Sequence, residues 1–258
     1  MRLSFIPIYR RELRAYFQNP GVYVTLAIFL GLSGLLLYQT IQDFARICMN
    51  PQMRFRYGLS SLNYTEWVIT NTFGLLGFLF LFVIPLLTMR LFAEEKKSGT
   101  FELLATCPIT DWGLVLGKYL AAVSVIVAFL IVSLAFPITF SRIGQTEWPI
   151  VASGYLALLL LGLAYAAFGA FASTLTENQI IAAVVTFFGL LAFYLADIFG
   201  IGSMGLLSRV LSAISIREHM ENLVKGRVLT EDIAYFLLFS AGFLFLANCV
   251  LESRRWRV

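Results

Sequence analysis

Charge is scarce in this chain. Only 13% of its 258 residues are Asp, Glu, Lys or Arg, about half the share of an ordinary soluble domain, and 59% are hydrophobic. A soluble chain of this length needs a charged surface over its core. With a mean hydropathy of +0.83, this one is expected to use bilayer lipid as its solvent. Histidine is nearly absent: His219 stands alone, so membrane metalloprotease or di-iron sites built on several histidines are excluded. A lone histidine in a polar segment is expected to be solvated, and no metal site is expected. Three cysteines fall in three places, Cys48 in a first outer loop, Cys107 in an inner loop and Cys249 in the last span, so no intrachain disulfide is expected. A net charge of +4 is too small to suggest nucleic acid.

What the chain has is long apolar runs. A bilayer core of about 30 Å needs about 20 apolar helical residues, and six charge-free windows approach or exceed that: Ala15 to Gln42, Trp67 to Met89, Tyr119 to Ser141, Trp148 to Thr176, Asn178 to Ala196 and Ile233 to Leu251. Continuous apolarity argues against barrel strands, which alternate. The expected fold is therefore all-α, a polytopic membrane protein with six transmembrane helices at about 21–41, 67–91, 113–140, 149–175, 178–197 and 232–251. Thr65, Thr110 or Asp111, Thr146 and Thr230 are placed as helix N-caps, and Thr176 with Gln179 fits a capping box. All four tryptophans, Trp67, Trp112, Trp148 and Trp256, fall at span ends, as interfacial rings should. With both termini inside, 11 of the 19 Lys and Arg residues lie inside, the expected bias.

Residues 1–20 read as an interfacial amphipathic helix. Ile6, Tyr9, Leu13 and Tyr16 recur at helical spacing, while Arg10, Arg11, Glu12 and Arg14 cover the rest. No small-residue cleavage site follows the apolar run, which disfavours a signal peptide.

Catalytic and ion-coupling chemistry lacks the residues it needs. The windows hold no ionisable group at depth, with Lys118, Glu177 and Asp197 at span ends, so an ion-driven carrier is disfavoured. Gly200, Gly202 and Gly205 spell a dinucleotide-type glycine pattern, but it follows a membrane span rather than a strand. Gly113, Gly117 and Lys118 miss the phosphate-loop spacing, and Tyr119 replaces the required Ser or Thr. No ATP site is expected here. Glu94 and Glu95 look like the glutamate pair of prenyl-protein proteases, yet Gly99 stands where the arginine belongs. Pro85 and Pro137 should kink the second and third spans. Gly162, Ala166 and Ala170, like Gly113 and Gly117, suit close helix packing within the chain.

The most informative stretch is the inner loop 92–111. It carries Glu94, Glu95, Lys96, Lys97, Gly99, Thr100, Phe101, Glu102, Leu103, Leu104 and Pro108. Charges at its start keep it in water; Phe101, Leu104 and Ala105 then make an apolar stripe on a short cytosolic helix that Pro108 ends. Such a helix can plug a groove on a partner. The run EEKKSGTFELLATCPIT resembles the signature region of ABC type-2 transporter permeases. RRELRAYFQNPGVYV is similar to that family's interfacial helix and first span, and LESRRW to the ending of its gliding-motility-associated subgroup.

The resemblance implies a multi-pass subunit of the plasma (inner) membrane, catalytically inert, that pairs with a second permease chain, identical or different. Two separate ATP-binding subunits would hold ATP and Mg. It makes residues 100–105 a coupling helix: Gly99 allows the turn, Glu102, Leu103 and Leu104 contact or orient the seat, and Glu94, Glu95, Lys96 and Lys97 form charged edges. The segment 198–231 resembles the family's outer re-entrant or short-helix region. The alternatives are a non-transporting membrane scaffold recruiting cytosolic partners and an ion-coupled carrier.

Overall fold

The computed structural model describes residues 5–50, 64–99, 110–141, 147–200 and 206–255. Every secondary-structure element among them is helical. The chain opens with α1 (Phe5–Gln18), α2 (Pro20–Met49), α3 (Tyr64–Thr88) and α4 (Arg90–Lys97). It continues through α5 (Asp111–Ser133), α6 (Ala135–Phe140), α7 (Trp148–Leu175) and α8 (Gln179–Tyr194). Three short helices, α9 (Ala196–Gly200), α10 (Leu206–Ile214) and α11 (Ile216–Val224), precede the long α12 (Thr230–Arg255).

Five helical stretches are long and apolar enough to cross a bilayer: Pro20–Met49, Trp67–Lys97, Asp111–Thr139, Trp148–Leu175 and Thr230–Ser253. The sixth expected span, α8, is apolar but has 16 residues, about 24 Å of helix. The all-helical multi-pass fold stands, with five full-length spans and one shorter apolar helix among the described residues.

Local signals explain the ends. Asn19 caps α2, its side chain accepting from the Gly21 amide at 2.8 Å, with Pro20 at the first position, where its missing N–H costs nothing. The Thr110 hydroxyl caps α5 by accepting from Gly113 N at 3.2 Å. At the tight turn into α8 the cap is Asn178, which accepts from Ile180 N at 2.9 Å; Thr176, expected in that role, accepts from Asn178 N instead. Glu147 holds the N-cap position of α7, and Thr146 lies outside the described residues. Leu134 breaks the third span into α5 and α6 shortly before Pro137.

α7 is the hub, packed against α3, α4, α5, α8, α11 and α12. A helix surrounded this way must be apolar all round and slim. Ala157, Ala164, Ala166, Ala167 and Ala170 are all fully buried on it. A Cβ on Gly162 would come 2.8 Å from Ile126 Cγ2 of α5, so the small-residue stripe serves packing inside the chain. α12 turns Phe236, Leu244, Ala247 and Leu251 toward the core at helical spacing.

His219 departs from the expectation of a solvated side chain. Its Nδ1 lies 2.6 Å from Asp232 Oδ1 and its ring stacks on Tyr235, centroids 4.1 Å apart. Asp232, in the first turn of α12, is 2% exposed. The histidine thus gives a buried carboxylate a partner, and pins α11 to the start of the last helix.

Candidate functional site

The signature loop begins on α4, and the structure shows how that helix is held. α3 ends at Thr88, Pro85 occupies its last turn, and α4 starts at Arg90, with Met89 alone between them. A broken helix leaves amides and carbonyls unpaired, and in an apolar setting each must find a new partner. Two side chains supply them. The Tyr16 hydroxyl donates to the Leu87 carbonyl at 2.8 Å. Ser173, near the end of α7, accepts from the Phe92 and Ala93 amides at 3.0 and 3.1 Å and lies 3.1 Å from the Met89 carbonyl, to which it donates. Lys96 adds a bond from its ammonium to the Thr174 carbonyl.

Leu91, Phe92 and Ala93 are buried, so α4 is seated on the bundle and does not hang from it. Glu94 and Lys97 face solvent, whereas Glu95 and Lys96 lie partly inward. Gly99 has a φ of +70°, a backbone state that favours glycine, and turns the chain away after α4. Thr100, Phe101, Glu102, Leu103, Leu104 and Pro108, with Cys107, lie outside the described residues.

Beside α4 is a four-residue charge cluster. Lys118, expected at a span end, has a side chain only 2% exposed, lying 3.2 Å from Glu12 Oε1 and 3.0 Å from Glu95 Oε1. Arg11 reaches the same two oxygens at 2.6 and 2.7 Å. Two cations and two anions from α1, α4 and α5 therefore close a neutral knot. Each charge needs the others, because an unpaired buried ion is costly. Burial pushes the Glu12 carboxyl up, but Lys118 and Arg11 outweigh it and hold its pKa below the usual value; burial likewise opposes the Arg11 charge, and the two glutamates more than restore it. The Phe92 ring lies 5.4 Å from the Lys118 ammonium, and Arg90 stacks over Tyr16 at 4.2 Å.

α1 is amphipathic, but its buried face differs from the expected one. Ile8 and Tyr16 are buried, Glu12 and Leu13 are half-buried between them, and Ile6 is 41% exposed. The inward face thus includes a carboxylate, which Lys118 makes affordable. Arg10 and Arg14 remain on the outer face. Close approach of α1 to α5 depends on Gly117, where a Cβ would lie 3.0 Å from Ile8 Cγ2 and 3.1 Å from the Phe5 carbonyl.

Sequence reading had found the charged loop and the first helix, but not Lys118, Ser173 or Tyr16 as their fasteners. The signal for Lys118 was faint: a lone cation just inside an apolar run, matched by a lone acid among the arginines of α1. Ser173 carried none.

No curated protein matches the chain significantly. A family model described as ABC-2 family transporter protein matches residues 19–248, nearly the whole chain beyond α1. The chain belongs to the ABC-2 transporter family, as a multi-pass membrane permease subunit.

Proposed function

We propose that this chain is the permease subunit of an ATP-driven exporter, moved by separate ATP-binding subunits that carry ATP and Mg, and paired with a second permease chain. The reading places the Gly99 side of the bundle and both termini in the cytoplasm, at the inner membrane. The similarity of the closing run LESRRW to the gliding-motility-associated subgroup makes that pathway the first to test.

The observation that carries the reading is the anchoring of α4. The signature segment following Gly99 is set to receive a push from a closing ATPase, with Thr100 to Ala105 as the coupling helix and Glu102, Leu103 and Leu104 contacting or orienting its seat on the ATPase. A push on a dangling loop would be dissipated. Here α4 is fixed to α7 through Ser173 and Lys96, and to α1 and α5 through Lys118. Force entering at Gly99 is thereby shared by the second, third and fourth spans and by α1, a broader lever than the second and third spans alone.

Gentle purification of the complete complex tests this. A partner with a nucleotide-binding sequence should co-purify, and its ATP hydrolysis should rise several-fold in the presence of the permease. Glu102→Lys should preserve membrane insertion and lower that stimulation. Unchanged co-purification and full stimulation in the variant would refute the assigned coupling seat, and partners that hydrolyse no ATP would favour a scaffold.

A further inference from the structure

The short helices α10 and α11 meet the bundle at the end opposite Gly99. A Cβ on Gly226, just after α11, would lie 3.7 Å from Ile150 Cγ1 at the start of α7; Ser173, which holds α4, stands about 34 Å further along the same helix. α11 is firmly seated, with Ile216, Met220, Leu223 and Val224 buried, whereas α10 packs chiefly against α9 and leaves Val210 and Ile214 exposed. The last carbonyls of a helix lack partners within it. Those of Ala213 and Ile214 find theirs elsewhere: His219 Nε2 of α11 lies 3.3 Å from the first, and the Tyr235 hydroxyl of α12 donates to the second at 2.6 Å.

His219 therefore has an acceptor at each ring nitrogen. Nδ1 lies 2.6 Å from the Asp232 carboxylate and Nε2 faces a carbonyl, whereas a neutral imidazole has one N–H to offer. Both contacts are hydrogen bonds only when the ring carries two protons. Asp232 stands in the first turn of α12, where the helix dipole favours an ionised carboxylate. Its other oxygen is shielded and has no partner among the described residues, so the imidazolium supplies the compensating charge. The other described ionisable groups around α11 are engaged or turned outward. Arg217 pairs with Asp197 of α9 and Lys225 with Glu221, while Arg209, Glu218, Arg227 and Glu231 are exposed. Tyr165 on α7, Tyr194 on α8 and Tyr235 bring phenols, which ordinarily keep their protons below about pH 10.

We propose that His219 is a proton-operated latch joining α11 and α12 to the end of α10. With two protons the ring bridges the Asp232 carboxylate and the Ala213 carbonyl. The side chain stays 19% exposed, which gives the Nε2 proton a way to water. When that proton leaves, Nδ1–H keeps the stronger, charged partner, and a nitrogen lone pair is left facing the Ala213 oxygen. A bond becomes a repulsion, and the end of α10 loosens from the bundle. Histidine suits this role because its charge ordinarily changes between about pH 5 and 8. The latch reads the pH on its own face of the membrane and does not depend on coupling to an ATPase.

His219 is the only histidine, so nitrogen-15 histidine labelling of the full chain, purified without a histidine tag and placed in lipid bilayers, gives one ring to read by solid-state NMR. Both ring nitrogens should carry protons at pH 6, and Nε2 should lose its proton in a single step before pH 10. A spin label on Val210→Cys, in a chain whose Cys48, Cys107 and Cys249 are replaced by serine, should gain about two-fold in mobility across the same step. His219→Gln keeps one donor and should hold the label at one mobility throughout. A bare ring nitrogen at pH 6, a ring still doubly protonated at pH 10, or a ring that titrates with no change in label mobility would overturn the proposal. So would a mobility step that survives in folded His219→Gln, since another group would then be titrating. The NMR reading needs no variant at position 219, so it decides the protonation even if the glutamine variant misfolds.

Discussion

The ammonium of Lys118 lies 3.2 Å from the Glu12 carboxylate, joining the third span to a helix 106 residues earlier in the chain. Breaking a buried pair by removing one partner costs about 3–5 kcal/mol. Arg11 still neutralises part of the cluster, so Lys118→Met should fall at the low end, about 3 kcal/mol. The double change Lys118→Met, Glu95→Gln should recover most of it, since Arg11 and Glu12 then remain as a neutral pair. Thermal unfolding in one detergent compares the two; equal losses would show that the ions are not mutually dependent.

Glu12 makes the docking of α1 sensitive to acid. Its folded pKa is lowered, so its stabilisation is present above the ordinary carboxylate value of 4.5 and is lost as pH falls through the lower folded value. A fluorophore on Arg10→Cys should report release of α1 below that value and a flat response from pH 7 to 5. Glu12→Gln should abolish the transition, and a midpoint near neutrality would contradict the assignment.

Ser173→Ala removes the acceptor for two amides and the donor to a carbonyl at the α3–α4 break. Each stranded buried group costs about 1–3 kcal/mol, so a loss of about 2–4 kcal/mol is expected after relaxation. Under the proposed function, ATPase stimulation should fall by more than unfolding explains. Tyr16→Phe deletes one bond and should cost about 1 kcal/mol.

Two glycines in apolar helices should respond oppositely to alanine. On Gly169 a Cβ would lie 2.2 Å from Thr88 Oγ1, pressing α7 off α3, whereas on Gly242 it meets nothing within 4 Å. Gly169→Ala should lower the unfolding midpoint, and Gly242→Ala should hold or raise it, because alanine favours helix. The same sign for both would show that helix propensity, not helix separation, governs this bundle.

Cys48 is exposed at the end of α2. An impermeant thiol reagent on intact cells should label it and spare Cys107 if the proposed orientation holds. The reverse pattern would invert the protein and place the signature loop outside.

Much of this architecture was legible from the sequence because lipid imposes one rule everywhere: an apolar run must satisfy its own backbone, and only a helix does so within one segment. Charge-free windows and Thr110 therefore located most helices. At α8 the apolar composition runs on beyond Tyr194, whereas the helix breaks at Leu195 and resumes as α9.

Partnerships across the fold were not legible, for a physical reason. Glu12 looks like part of a polar face until α5 brings Lys118 against it, and His219 looks solvated until α12 presents Asp232 and Tyr235. Whether a charge is exposed or buried depends on what packs over it, and residues this distant in sequence meet only in the assembled bundle. The sequence by itself determined an all-helical, multi-pass chain with its useful charge gathered near one loop. Only the tertiary structure decided that this loop begins on an anchored helix, because the anchors, Ser173, Tyr16 and Lys118, come from three other helices.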